Sequence, residues 1–421
     1  MNPWAAVAAG AVVSGYAALS RRLSTTAVSG PMLFVACGIA IGPLGLDLIT
    51  RSQDAELTRT LLESALTLVL FTDAAAIRTG DLRRERFLPV RLLTVGLPLA
   101  MVLGWLTAWL VLPGLGGWEL ALAAIILAPT DAALGEQAIA DRRVPALVRH
   151  GLSVESGLND GLALPFFVLA LAAAAGGHGG HRGPLATFLL ALVVSAAIGL
   201  AAGWLGARLL RGSAARGWST PDWRQVLVLA VPVVAYAACD LVDGSGFIGA
   251  WTAGLAFGAG VRAAALSAGS PGTADADTGH TTEFTHRFGA LLTALSFLFF
   301  GALVLSPALT HLNWRMVLYA VLSLTAIRML PVAVALAGTR LRAPTVAYVG
   351  WFGPRGLASV VFGLLALEEQ LPGGELLGGV VAVTVGLSVC AHGASAAYLG
   401  ARYGAWSAGS PPRGAAGDGV A

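Results

Sequence analysis

From residue 4 onward the sequence passes through one apolar stretch after another, each about long enough to cross a bilayer and each ended by a cluster of Arg, Gly or Pro. Hydrocarbon offers no water to backbone N–H and C=O groups, so a chain of this kind is confined to helices that bond within themselves. A crossing takes about 20 apolar residues. Thirteen candidate spans start near residues 4, 31, 60, 88, 118, 150, 186, 225, 245, 287, 314, 344 and 376. The predicted fold class is an all-α polytopic membrane protein with about 13 transmembrane helices. Composition excludes a soluble globular chain: 56% of the residues are hydrophobic, 12% are charged, and mean hydropathy is +0.76.

The basic residues, all Arg, give the spans a direction. Twenty of the 26 fall in the odd-numbered connections and the tail, four fall in the even-numbered connections, and Arg328 and Arg355 lie inside spans. Cytoplasmic loops carry the basic excess, so the N-terminus is expected outside and the C-terminus in the cytoplasm of a plasma-membrane protein. Scattered arginines form no patch for nucleic acid. Trp4 to Ser20 lacks a preceding basic segment and reads as a retained span rather than a signal peptide. Residues 1–403 are expected to form one transmembrane domain and residues 404–421 a short disordered tail. Arg262 to His286 reads as a flexible polar loop, and His178 and His181 as part of a Gly-rich turn. Cys37, Cys239 and Cys390 lack metal-ligand spacing, and no residue pattern asks for a cofactor.

Six charges interrupt the apolar runs: Asp73, Asp131, Glu155, Asp160, Arg328 and Arg355. Each costs about 2.5 to 3.5 kcal/mol at a helix centre, and such residues mark ion paths, proton relays or buried pairs. Asp160 follows His150 by ten residues, about 15 Å of helix, which puts it near the midplane. Asp131 reaches a similar depth in span 5. In span 6 the i, i+4 pairs Ser156 with Asp160 and Glu155 with Asn159 define two faces. Ser156 and Asp160 are expected to meet Asp131, and Glu155 to pair with Arg328, cancelling two costly charges.

Pro129, beside Thr130 and Asp131, and Pro354, beside Arg355, fall in the middle of spans 5 and 12, where they are expected to break the helices. Span 5 is fifth in a first group of six; span 12 is fifth in a second group, with span 7 between them. This layout gives two inverted six-helix repeats with crossed broken helices, a plan of secondary transporters. Pro165, Pro232 and Pro331 read as ordinary kinks.

With "PTDAAL" in span 5, "ESGLND" in span 6 and "GPRGLAS" in span 12, the chain resembles the monovalent cation:proton antiporters, in their sodium/hydrogen exchanger branch. The likeness runs from span 2 to span 13. It implies that Asp160 is the ion-carrying carboxylate, with Asp73, Thr130, Asp131 and Ser156 completing a site for transported Na+, or Li+ or K+, and H+. It implies that Asn159, where electrogenic members carry Asp, marks one-for-one exchange. Glu155 and Arg328 would lock spans 6 and 11, Arg355 would stand at the second break, and the protein would be a homodimeric transporter, not an enzyme. Ala132 departs from the family's frequent Pro after Thr-Asp. An intramembrane aspartyl protease also needs two membrane Asp residues, but needs neither Arg328 nor paired breaks. A cation channel would carry repeated filter segments, and a potassium/proton exchanger of the same fold would differ only in selectivity.

Overall fold

The computed structural model describes residues 3–23, 26, 28–49, 51–77, 87–131, 134–135, 141–176, 184–267 and 274–409. Helices occupy all thirteen predicted runs. In chain order they are α1 (Pro3–Leu23), α2 (Gly30–Ile41), α3 (Arg51–Ala76), α4 (Phe87–Arg91), which passes through a π-helical turn into α5 (Leu97–Val111), α6 (Gly117–Ile126), α7 (Ala146–Ala174), α8 (Pro184–Ala215), α9 (Pro221–Asp240) and α10 (Gly246–Ser267). There follow α11 (Ala274–Phe299), joined by a second π-helical segment to α12 (Ser306–Thr310), then α13 (Trp314–Leu324), α14 (Ala326–Ala335), α15 (Ala343–Trp351), α16 (Leu357–Glu368) and α17 (Gly374–Ala408). Among the described residues there is no strand. Among the described residues, eight helical stretches are long and apolar enough to cross a membrane, while α2, α6 and α16 are apolar but short. The shortness of α6 and α16 comes from the breaks that follow Ile126 and precede Leu357.

Local chemistry sets several helix starts. Ser29 accepts a hydrogen bond from Met32 N at the head of α2, and Asn313 accepts one from Arg315 N at the head of α13. Pro145 precedes α7, whose 29 residues include Pro165. Large apolar side chains such as Trp109, Leu110, Trp204 and Leu209 point outward, as a lipid-facing surface requires. Inside, α3 packs against α10 and α11, α8 against α9 and α10, α6 against α7 and α5, and α17 against α13 and α16.

Three expectations need correction. The polar stretch Arg262–His286 is not one long loop: α10 runs to Ser267 and α11 begins at Ala274. On α11, Glu283 pairs with Arg287 at the i, i+4 spacing of a helix, at 2.5 Å. The helix of span 13 extends to Ala408, beyond the expected start of the tail at 404, because Trp406 stacks on Tyr403 and lies under Arg342. Residues 410–421, with His178 and His181, lie outside the described residues. Span 11 is interrupted at Thr325 (φ −114°, ψ −89°), six residues ahead of Pro331, which sits inside α14. The Thr325 hydroxyl donates back to Val321 O at 2.6 Å, a bond that competes with the helix ladder.

Candidate functional site

The two broken spans meet at their breaks. Leu127 to Asp131 is irregular after α6, and Phe352 to Gly356 is irregular between α15 and α16. Asp131 N donates to Pro354 O at 2.8 Å, joining the unwound segments by their backbones. Each break then satisfies the other's helix end. Asp131 Oδ2 accepts from Leu357 N at 2.9 Å, so a carboxylate faces the N-terminus of α16, where unpaired N–H groups and the helix dipole favour negative charge. Reciprocally, the Arg355 guanidinium donates to Ala128 O and to Pro129 O, the latter at 3.0 Å, and Ser359 Oγ donates to Ile126 O at 2.7 Å. These carbonyls lie at the C-terminal end of α6, where cations and donors are favoured. Arg355 is 0% exposed and is held by its own N–H, which donates to Ser388 Oγ at 2.7 Å.

Gly356 is required at this crossing by space, because a side chain there would run into the Asp131 carboxylate. Gly157, in the "ESGLND" segment, faces Asp73 more loosely: a Cβ there would meet Asp73 Cβ at 3.3 Å, a tight contact where α3 packs on α7. Along α7 the polar residues do not divide by the expected i, i+4 pairs: Asn159 joins Ser156 at the first break, while Glu155 alone turns to Arg328. Ser156 Oγ donates to Thr130 O at 2.7 Å, and Asn159 Nδ2 donates to Thr130 Oγ1 at 2.6 Å, so two residues of α7 hold the first break in place. One position before Ser156, Glu155 takes Arg328 of α14 in a bidentate pair at 2.5 and 2.9 Å, with both side chains at most 6% exposed.

Asp73, Asp131, Ser156 and Asp160 line a common cavity of about 450 Å³. Ser153 and His286 are exposed at one end of it, while Leu66 and Phe297 are buried at the other. Asp160 is 8% exposed, and its Oδ1 has no hydrogen-bond partner among the described residues. Thr130 does not reach this wall: its hydroxyl and carbonyl are both occupied by α7. The five oxygen-bearing residues expected to surround a cation are thus not closed into one shell, since Thr130 is turned to α7 and one Asp131 oxygen caps α16. Among the described residues no group of three or more His, Cys, Asp or Glu could hold a metal ion together.

Sequence reasoning missed a support behind the second break. His392 of α17 is 0% exposed, with Nε2 at 2.9 Å from Trp351 O and Nδ1 at 3.2 Å from Ser388 Oγ. Trp351 O lies at the end of α15 and Ser388 holds Arg355, so the pair braces both edges of the break. Its signal was the i, i+4 spacing of Ser388 and His392 inside a run otherwise dominated by small and apolar residues.

Residues 8–401 match the family model for the transmembrane sodium/hydrogen exchanger. A protein of Schizosaccharomyces pombe named as a probable Na(+)/H(+) antiporter is 26% identical over 360 residues, covering 79% of this chain and 45% of its own length. A Na(+)/H(+) antiporter of Saccharomyces cerevisiae is 36% identical over 78 residues, 17% of this chain and 8% of its own. The chain therefore spans less than half the length of these curated relatives. Among solved structures, the sodium proton antiporter MjNhaP1 from Methanocaldococcus jannaschii superposes with a TM-score of 0.76 at 21% identity, over 93% of this chain and 100% of that one.

Proposed function

This chain belongs to the sodium/hydrogen exchanger family, whose members are multi-pass membrane transporters rather than enzymes, and on that premise we propose that it exchanges a monovalent cation, foremost Na+, for H+. The exchange is one for one, and Asp160 is the carboxylate that holds either ion. The observation that carries this reading is the position of Asp160: buried in the wall of a cavity with Asp73 and Asp131, and with Oδ1 unpartnered among the described residues. A carboxylate withdrawn from water is costly to leave as a bare charge, so it takes up a proton or a cation. Both compete for the same oxygens. If only the occupied carboxylate can be carried to the other side, the gradient of one ion drives the other backwards across the membrane.

The remaining polar residues hold the helices together. Glu155 is paired with Arg328, and Arg355 donates to the carbonyls at the end of α6. Asn159 is an amide engaged with Thr130, so it adds no second ionising group beside Asp160, which supports electroneutral exchange. Carboxylate and hydroxyl oxygens suit a hard cation. They do not by themselves separate Na+ from Li+ or K+, and potassium/proton exchange is the second reading. Plasma-membrane insertion with the N-terminus outside, and homodimerisation, complete the proposal. Accessibility of an N-terminal tag on intact cells and the mass of the detergent-solubilised protein test those two points.

The central test uses proteoliposomes carrying a pH dye. Na+ or Li+ added to liposomes with an imposed acid gradient should dissipate it, and a panel with K+ ranks the cations. Asp160→Asn should abolish the response with the protein still folded. Full transport by that variant would remove Asp160 from the carrying role.

A further inference from the structure

One wall of the ion cavity is unused in this mechanism. It is a stripe on α11 formed by His286, Gly289, Ala290, Thr293, Ala294 and Phe297, at the three- and four-residue spacing of one helix face. His286 is exposed at the mouth and Phe297 is buried at the floor. Between them the small residues leave one side-chain oxygen, that of Thr293, about 6 Å along the helix from Phe297.

Thr293 is 9% exposed, and its Oγ1 has no hydrogen-bond partner among the described residues. Thr285, two turns earlier on α11 and 0% exposed, is likewise without a partner among the described residues but does not line the cavity, whereas several other buried helical hydroxyls bond back along their own helices. Thr67, Thr72, Thr252 and Thr384 each donate to the carbonyl four residues back, as does Ser296 one turn away on α11. The two other buried hydroxyls of this cavity are committed, Thr72 to Leu68 O and Ser156 to Thr130 O. A buried hydroxyl with its hydrogen-bonding capacity unused is unfavourable, and of the unpartnered hydroxyls among the described residues Thr293 is the one that lines this cavity.

We propose that Thr293 is a further ligand of the transported cation, a hydroxyl oxygen on α11 that completes the carboxylate site and helps choose the cation by size. The proposal rests on the antiport reading and extends it to a residue outside the family-like motifs. A hard monovalent cation that sheds part of its water needs replacement oxygens, and a neutral hydroxyl supplies one without adding charge. Asp131 and Asp160 belong to the unit of α6 and α7, whereas α11 packs on α3 and α2. The distance from those carboxylates to a hydroxyl on α11 therefore depends on how the two groups of helices sit, which makes it sensitive to ionic radius.

The test uses the purified full-length chain with Thr293→Val, Thr293→Ala and Thr293→Ser. Cation binding is read as the Na+, Li+ and K+ dependence of thermal unfolding, and exchange as dye response in proteoliposomes. Val and Ala should each raise the half-saturating Na+ concentration about three- to ten-fold, the scale of one lost hydrogen-bonding oxygen. They should also change the relative response to Li+, Na+ and K+, with the maximal rate within about two-fold, while Ser stays near the unmodified chain. Ala guards against a Val variant that fails to fold. Unmoved half-saturation in both Val and Ala, or a Ser variant as impaired as Val, would overturn the assignment. Failure of the unmodified chain to respond to any cation would instead overturn the antiport reading beneath it.

Discussion

Glu155 and Asp160 lie five residues apart on α7, and their mutants should fail in opposite ways. Glu155 is one half of a dry ion pair, and removing either partner strands the other charge. Glu155→Ala or Arg328→Ala should each cost about 3 to 5 kcal/mol of stability. The double substitution should cost less than the sum, as a double-mutant cycle on thermal unfolding in detergent would register. Asp160→Asn should leave unfolding unchanged or delayed while transport is lost, because it replaces a carboxylate whose Oδ1 has no partner among the described residues. Asn159→Asp adds an ionising group against Thr130, and exchange should then respond to membrane voltage in ion-loaded liposomes; an unchanged, voltage-independent rate would contradict the electroneutral role given to the amide. The connection before α7 contributes its own pH dependence. Hydrogen bonds from Arg143 hold the Asp141 carboxyl below the usual carboxylate range. That stabilisation is present at neutral pH and is lost as pH falls through the lowered value, so it appears only in strongly acidic unfolding measurements.

Among the elements, the two breaks act as one unit. Each unwound segment provides what the other's helix end lacks: Asp131 for the N–H groups of α16, and Arg355 and Ser359 for the carbonyls of α6. Gly356→Ala would push the Asp131 carboxylate from its seat. It should destabilise the protein by about 1 to 3 kcal/mol through the lost cap and strain, and lower transport alongside, as unfolding and dye assays on one preparation would reveal. The positions of both breaks were legible, since Pro129 and Pro354 cannot continue a hydrogen-bond ladder. The break at Thr325 was not, because it depends on a side chain bonding its own backbone and on Arg355 Nη2 near Ser323 O at 3.5 Å. Nor was it legible that Asp131 would serve the backbone of α16 as well as the cavity. An acidic residue next to a break reads as a ligand until the facing helix end is known.

At the scale of the whole molecule, the described lining of the first cavity runs from exposed to fully buried residues. From the mouth at Ser153 and His286 the cavity descends to the carboxylates, and beyond them Leu62, Phe300 and Phe362 are packed at no more than 1% exposure. A second cavity of about 410 Å³ lies at the other ends of α3 and α16, lined by Arg59, Leu367 and Glu368 among others. There Arg59 binds Glu63 at 2.8 Å and Glu368 at 2.7 Å, tying α3 to the end of α16. A cysteine at Val69, which lines the first cavity, should react with an impermeant thiol reagent from the His286 side. Arg59→Gln should increase its labelling from the opposite side about two- to five-fold, the range of a half-exposed ion pair; equal labelling from both sides without the mutation would contradict a closed far end. The sequence by itself determined the class of the molecule: apolar runs in lipid must be helices, prolines break them, and charges within them must be matched. These are local rules, readable within a few turns of chain. Tertiary structure decided which partner each polar group received. Glu155 and Arg328 are 173 residues apart, and Asp131 and Leu357 are 226 apart. Helix periodicity assigns a residue to a face, but only the packing of helices brings that face to a particular carboxylate, carbonyl or cavity.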